Sequence, residues 1–78
     1  MEERGLSEQE RQVLQALARN GTMTPLEVSV KTLILPDEVL NAIRSLQRRG
    51  YLASRDLPEG PEREAITLTE KGRRALRS

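Results

Sequence analysis

The groups that could do chemistry in this 78-residue chain are carboxylates, Arg, Lys, Ser, Thr and a single Tyr, with no Cys and no His. That removes the usual thiolate and imidazole metal ligands and the common nucleophile–base pairs. Glu59 and Glu62 come nearest to an acid–base pair. They fall in and beside Pro58-Glu59-Gly60-Pro61, which reads as a turn, and acid–base work needs burial or a close charge partner. Thr22, Thr24, Ser29 and Thr69 read as helix caps and small helix residues rather than nucleophiles. Gly60 and Gly72 are isolated, so no glycine-rich phosphate loop is present. No enzymatic activity, cofactor or metal site is expected.

What remains is Arg. Thirteen basic residues face twelve acidic ones, for a net charge of +1. That is not the excess that reads directly as a polyanion binder, but the distribution is uneven. Residues 36–50 carry Arg44, Arg48 and Arg49 against Asp37 and Glu38. Residues 51–64 are net acidic, with Arg55 and Arg63 against Asp56, Glu59, Glu62 and Glu64. Residues 65–78 carry Lys71, Arg73, Arg74 and Arg77 against Glu70. The guanidinium fork suits phosphates and base edges; a genome-wide Arg bias produces the same excess.

The elements that would position these side chains are well punctuated. Ser7 followed by Glu10 is a capping box, and Val13, Leu14 and Leu17 then recur at helical spacing up to Asn20-Gly21. Met23 lies in a short extended link. Thr24-Pro25-Leu26-Glu27 starts a second helix that runs to about Thr32. Pro36 starts a third, which runs to Arg49 and stops at Gly50. Tyr51–Arg55 and Arg63–Leu68 read as two strands of a hairpin around the Pro/Gly turn. Thr69 caps a last short helix, with Ala75 and Leu76 on its apolar side. The first five residues read as a loose terminus. No apolar run is long enough to span a membrane and no signal region precedes the first helix, so a cytoplasmic protein is expected. The expected fold is α+β, mainly α: a three-helix core, a two-stranded β-hairpin wing and a short C-terminal helix, in one domain over 1–78.

The stretch from Thr24 to Leu52 resembles the winged helix-turn-helix superfamily, in the style of the MarR and PadR transcriptional regulators. Thr24-Pro25-Leu26-Glu27-Val28-Ser29 is similar to the start of the first helix of the motif. Val39, Ala42, Ile43 and Leu46 match the buried positions of a recognition helix. Arg48-Arg49-Gly50-Tyr51-Leu52 is similar to the exit into the first wing strand, and Ile66-Thr67-Leu68-Thr69-Glu70-Lys71-Gly72 to the segment that joins the second wing strand to the last helix. The resemblance implies that the third helix enters the major groove of double-stranded DNA and the wing meets the backbone. Helical periodicity turns Asp37, Asn41, Arg44 and Arg48 away from the core, with Ser45 flanking them. Asn41 suits adenine, and Arg44 and Arg48 suit guanine or phosphate. Arg55 and Arg63 fall on the wing strands. The same stripe is also what the solvated side of any amphipathic helix looks like.

Several positions depart from a DNA reader. Leu33 stands where the turn often carries Gly, and Leu35 where a Ser or Thr cap is usual. Val30 and Leu40 occupy places that are commonly polar. Exposed together, Val30, Leu33, Leu35 and Leu40 would form an apolar patch suited to a partner; a tighter core would swallow some of them. Asp37, Glu38 and the acidic wing disfavour phosphate. Two functions are therefore expected: a dimeric DNA-binding transcriptional regulator, or a protein-interaction or dimerisation winged-helix module that does not bind DNA. No small-molecule ligand is evident, because a chain of this size leaves little room for a pocket.

Overall fold

The computed structural model describes residues 5–57 and 64–77. The order is α1 (Glu8–Asn20), α2 (Pro25–Thr32), α3 (Pro36–Arg48), β1 (Leu52–Asp56), β2 (Glu64–Leu68) and α4 (Glu70–Arg77). This is the α+β, mainly α arrangement expected of a winged helix. Two boundaries shift by one residue: α3 ends at Arg48 rather than Arg49, and the first strand runs over 52–56 rather than 51–55. The hairpin tip and Arg63 lie outside the described residues.

Reciprocal capping boxes set both early helix starts. Ser7 Oγ accepts from the Glu10 N–H at 3.1 Å, and Glu10 Oε1 accepts from the Ser7 N–H at 3.0 Å. Thr24 and Glu27 repeat the device at 3.2 and 2.9 Å, with Pro25 at the first helical position. Each satisfies two N–H groups that a helix start leaves unpaired. At α4, Thr69 Oγ1 accepts from the Gly72 N–H at 3.0 Å and donates to the Gly50 carbonyl at 2.7 Å. One hydroxyl thus starts α4 and ties it to the end of α3.

The turn between α2 and α3 departs from what local preference favours. Leu33 closes α2 at φ 62, ψ 24, in the left-handed region, where a β-carbon costs roughly 1–2 kcal/mol. Leu35 stands at the N-cap of α3 with no side-chain cap bond; a Ser or Asp there would contribute about 1 kcal/mol. Two other features hold the turn. Ile34 is buried, and the buried Ser29 hydroxyl donates to the Ile34 carbonyl at 2.6 Å.

The core joins Val13, Leu14, Ala16 and Leu17 of α1 to Val28 of α2 and to Val39, Ala42, Ile43 and Leu46 of α3, with Met23, Ile34, Leu52 and Ile66 completing it. The strands pair antiparallel in the register Leu52↔Leu68 through Asp56↔Glu64. Met23 bridges the other edge of β2: its N–H donates to the Ile66 carbonyl at 3.1 Å, and the Ile66 N–H donates back at 2.6 Å. This pins the hairpin base to the helices. Beyond Leu52 the β1 residues are exposed, while β2 keeps Ile66 and Ala65, opposite Ser54 and Arg55, buried. Among the described residues no helix is long and apolar enough to cross a membrane.

Candidate nucleic-acid interface

The candidate site is built on α3. At about 100° per residue, Asp37, Asn41, Arg44 and Arg48 fall on one stripe, and all four are exposed. The opposite side, formed by Val39, Ala42, Ile43 and Leu46, is buried. The core contacts of α3 therefore fix the direction in which the polar stripe points, as an amphipathic helix requires.

A polar clasp to α1 sets the rotation of α3. Ser45 Oγ donates to Glu10 Oε2 at 2.8 Å, and Arg49 Nη1 lies 3.5 Å from Glu10 Oε1. Gln9 Nε2 donates to Glu38 Oε1 at 2.6 Å on the same flank. Burial pushes the Glu10 carboxyl up. The bonds from the Ser7 N–H and the Ser45 hydroxyl, with the nearby Arg49 charge, outweigh it and hold the group below the ordinary Glu range. The Arg49 guanidinium also lies 4.9 Å from the centre of the Tyr51 ring, and Lys71 Nζ approaches that ring at 5.4 Å.

The structure thus brings Asn41, Arg44 and Arg48 together on the outward stripe and turns Ser45 toward α1, where its hydroxyl is engaged. Arg55 is exposed on β1, opposite Ala65. At the outer rung Asp56 faces Glu64, two like charges that disfavour each other and any phosphate. Arg73 and Arg77 are exposed on α4. Composition and spacing did not point to the Glu10 clasp, since Glu10 was legible only as the partner of Ser7 in the capping box.

The leucines of the turn are at the surface. Leu33 is 90% exposed, Leu35 66% and Val30 65%, while Leu40 is half-buried. Leu26, at 52%, belongs with them and was not singled out in sequence, because it sits inside a strong helix-start signal. Clefts among the described residues are open to solvent. One, of about 250 Å³, is lined by Gln12, Gln15, Arg19, Asn20 and Lys31 among others; another, of about 280 Å³, is lined by Ala18, Leu68, Arg73, Leu76 and Arg77. Both fall just short of the roughly 300 Å³ at which ligand pockets usually begin. Among the described residues no group of Asp or Glu is placed to hold a metal ion.

The fold is a MarR-like winged helix-turn-helix. The chain superposes on Bordetella bronchiseptica BpsR, a protein whose DNA binding is regulated by 6-hydroxynicotinic acid, with a TM-score of 0.88 and 27% identity over 99% of this chain and 58% of that one. It superposes on the transcriptional regulator PA4135 with a TM-score of 0.81 and 28% identity, over 88% of this chain and 51% of that one. The MarR family transcription regulator SP03579 gives 0.86 at 19% identity, covering 94% and 48%. The chain spans about half the length of these structures. No protein-family model matches the sequence, and no curated protein does.

Proposed function

We propose that this chain is a non-enzymatic DNA-binding domain of a transcriptional regulator, with α3 in the major groove of double-stranded DNA and the wing against the adjacent backbone. The observation that carries the reading is the α3 stripe. Its exposed Asn41, Arg44 and Arg48 stand on a helix whose orientation is set by the core and by the Glu10 clasp. The likeness to BpsR over nearly the whole of this chain supports it. Asn41 would pair with adenine, and Arg44 and Arg48 with guanine or with phosphate. Arg55, and Arg63 outside the described residues, would lie near phosphates. Ser45 would act indirectly, by holding α3 to α1. Such a domain works as one unit over residues 1–78 and, in a bacterial regulator, in the cytoplasm.

Fluorescence anisotropy with a short duplex at low salt tests this. Arg44→Ala and Arg48→Ala are each expected to weaken binding about tenfold. Removing a phosphate contact is expected to lower the log–log salt slope by about one. No binding at low salt, or binding that both substitutions leave unchanged, contradicts it.

A further inference from the structure

The polar side chains of α3 fall into two sets. Those on the flank toward α1 are engaged: Glu38 with Gln9, and Ser45 and Arg49 with Glu10. Asp37, Asn41, Arg44 and Arg48 form the outward stripe, and none of these four side chains has a hydrogen-bond or ion-pair partner among the described residues. The stripe changes character along its length. Both of its cations lie in the C-terminal half of the helix. The N-terminal end offers Leu35 and Pro36, both exposed, and then the Asp37 carboxylate. Leu35 occupies the N-cap without capping it, where Ser or Asp would stabilise the helix start. Leu40, half-buried, flanks Asp37 at three residues and Arg44 at four.

We infer that this end of α3 reads pyrimidines in the major groove. The Asp37 carboxylate accepts from the N4 amino group of a cytosine, and Leu35 packs on the 5-methyl group of a thymine in the neighbouring base pair. The inference rests on the DNA-binding reading and adds to it the bases that the leading turn of α3 selects.

A recognition helix brings its N-terminal residues to the base edges, and what stands there decides which edges are accepted. An ionised carboxylate can only accept hydrogen bonds. Asp37 therefore repels the guanine N7 and O6 and the thymine O4, and suits the cytosine amino group. Adenine pairs its amino donor with the N7 acceptor, a combination that fits the amide of Asn41 and not a carboxylate. Leu35 has no polar side-chain atom and Pro36 no N–H, so neither side chain reads a base by hydrogen bonding. The thymine methyl is the apolar group of the major-groove edge. The helix dipole alone does not call for Asp37, because Glu38 already stands in the first turn. Repulsion from phosphate leaves base contact as the use of the carboxylate at this end. At about 1.5 Å per residue, Asp37 to Arg44 spans roughly 10 Å, or about three base-pair steps. The stripe thus reads pyrimidine at its start and, through Asn41 and Arg44, adenine and guanine further in.

The test selects duplexes with a randomised centre on the whole chain and then measures the selected duplexes by fluorescence anisotropy, with thermal melts of each variant. The selected duplexes are expected to carry a cytosine whose exchange for thymine weakens wild type about tenfold. Asp37→Ala is expected to lose that preference and to bind random duplex at least as well as wild type, because a charge that repels phosphate is gone. Exchange of one thymine for deoxyuridine removes a single methyl group. It is expected to weaken wild type about threefold and to leave Leu35→Ser unaffected. Leu35→Ser supplies the missing cap, so it is expected to melt at or above the wild-type temperature, which separates lost readout from lost folding. Duplex binding with no sequence enriched, enriched sequences without the cytosine, or a cytosine preference that survives Asp37→Ala overturns the inference and leaves the DNA-binding reading standing. A deoxyuridine exchange without effect on wild type, or with the same effect on Leu35→Ser, overturns the part given to Leu35. A wild type that binds no duplex at low salt overturns both the inference and the reading beneath it.

Discussion

Glu10 has two tasks. It completes the capping box of α1 and receives Ser45 and Arg49 from α3. Its carboxyl is held below the ordinary range in the folded state, so its contribution is present above the unfolded pKa and fades as pH falls through the folded one. Gln preserves the capping box but loses the charge. Glu10→Gln is therefore expected to cost about 1 kcal/mol near neutral pH, and its melting temperature should converge on that of wild type in acid. Thermal melts across pH check both halves. Gly72 is needed for space. A β-carbon there would run into the Tyr51 carbonyl oxygen and lie 2.7 Å from Leu68 Cδ1. A backbone oxygen that accepts from the Thr69 N–H has little freedom to yield. Gly72→Ala is expected to cost about 2–3 kcal/mol, read as a fall of about 10 °C or more in melting temperature.

At the scale of elements, the helices were legible because their starts carry chemistry that needs no tertiary partner. Ser7 with Glu10, Thr24 with Glu27, and Thr69 all cap as their sequence context predicts. The α3 stripe was legible for a related reason, since Val39, Ala42, Ile43 and Leu46 fix its inward side by period alone. What could not be read depends on contacts between distant segments. Examples are the bridge from Met23 to Ile66, the close approach of Gly72 to Tyr51, and the turning of Ser45 toward Glu10. The fate of the turn leucines belongs with these, because pattern alone left burial and exposure equally open. The wing carries its own prediction. Asp56 faces Glu64 on the outer rung, so Asp56→Lys replaces a like-charge pair with an opposite one. A gain of a few tenths of a kcal/mol in stability is expected. With the wing on the backbone, duplex affinity should also rise and its salt slope steepen. Unchanged affinity would mean that this rung does not approach phosphate.

For the whole molecule, the near-neutral charge is the informative quantity. A domain with +1 net charge cannot rely on its overall field to find DNA, so any duplex affinity must come from a local surface. In the proposed reading the exposed Asn41, Arg44 and Arg48 of α3 form that surface. The most direct measurement is a backbone amide NMR titration of dilute protein with a short random duplex at low salt. Binding through α3 predicts shifts that centre on Asn41, Arg44 and Arg48 and extend to β1 around Arg55, while the α1 amides move little. An unchanged spectrum, or shifts that leave the α3 stripe untouched, would contradict the reading of α3 as the element that enters the groove.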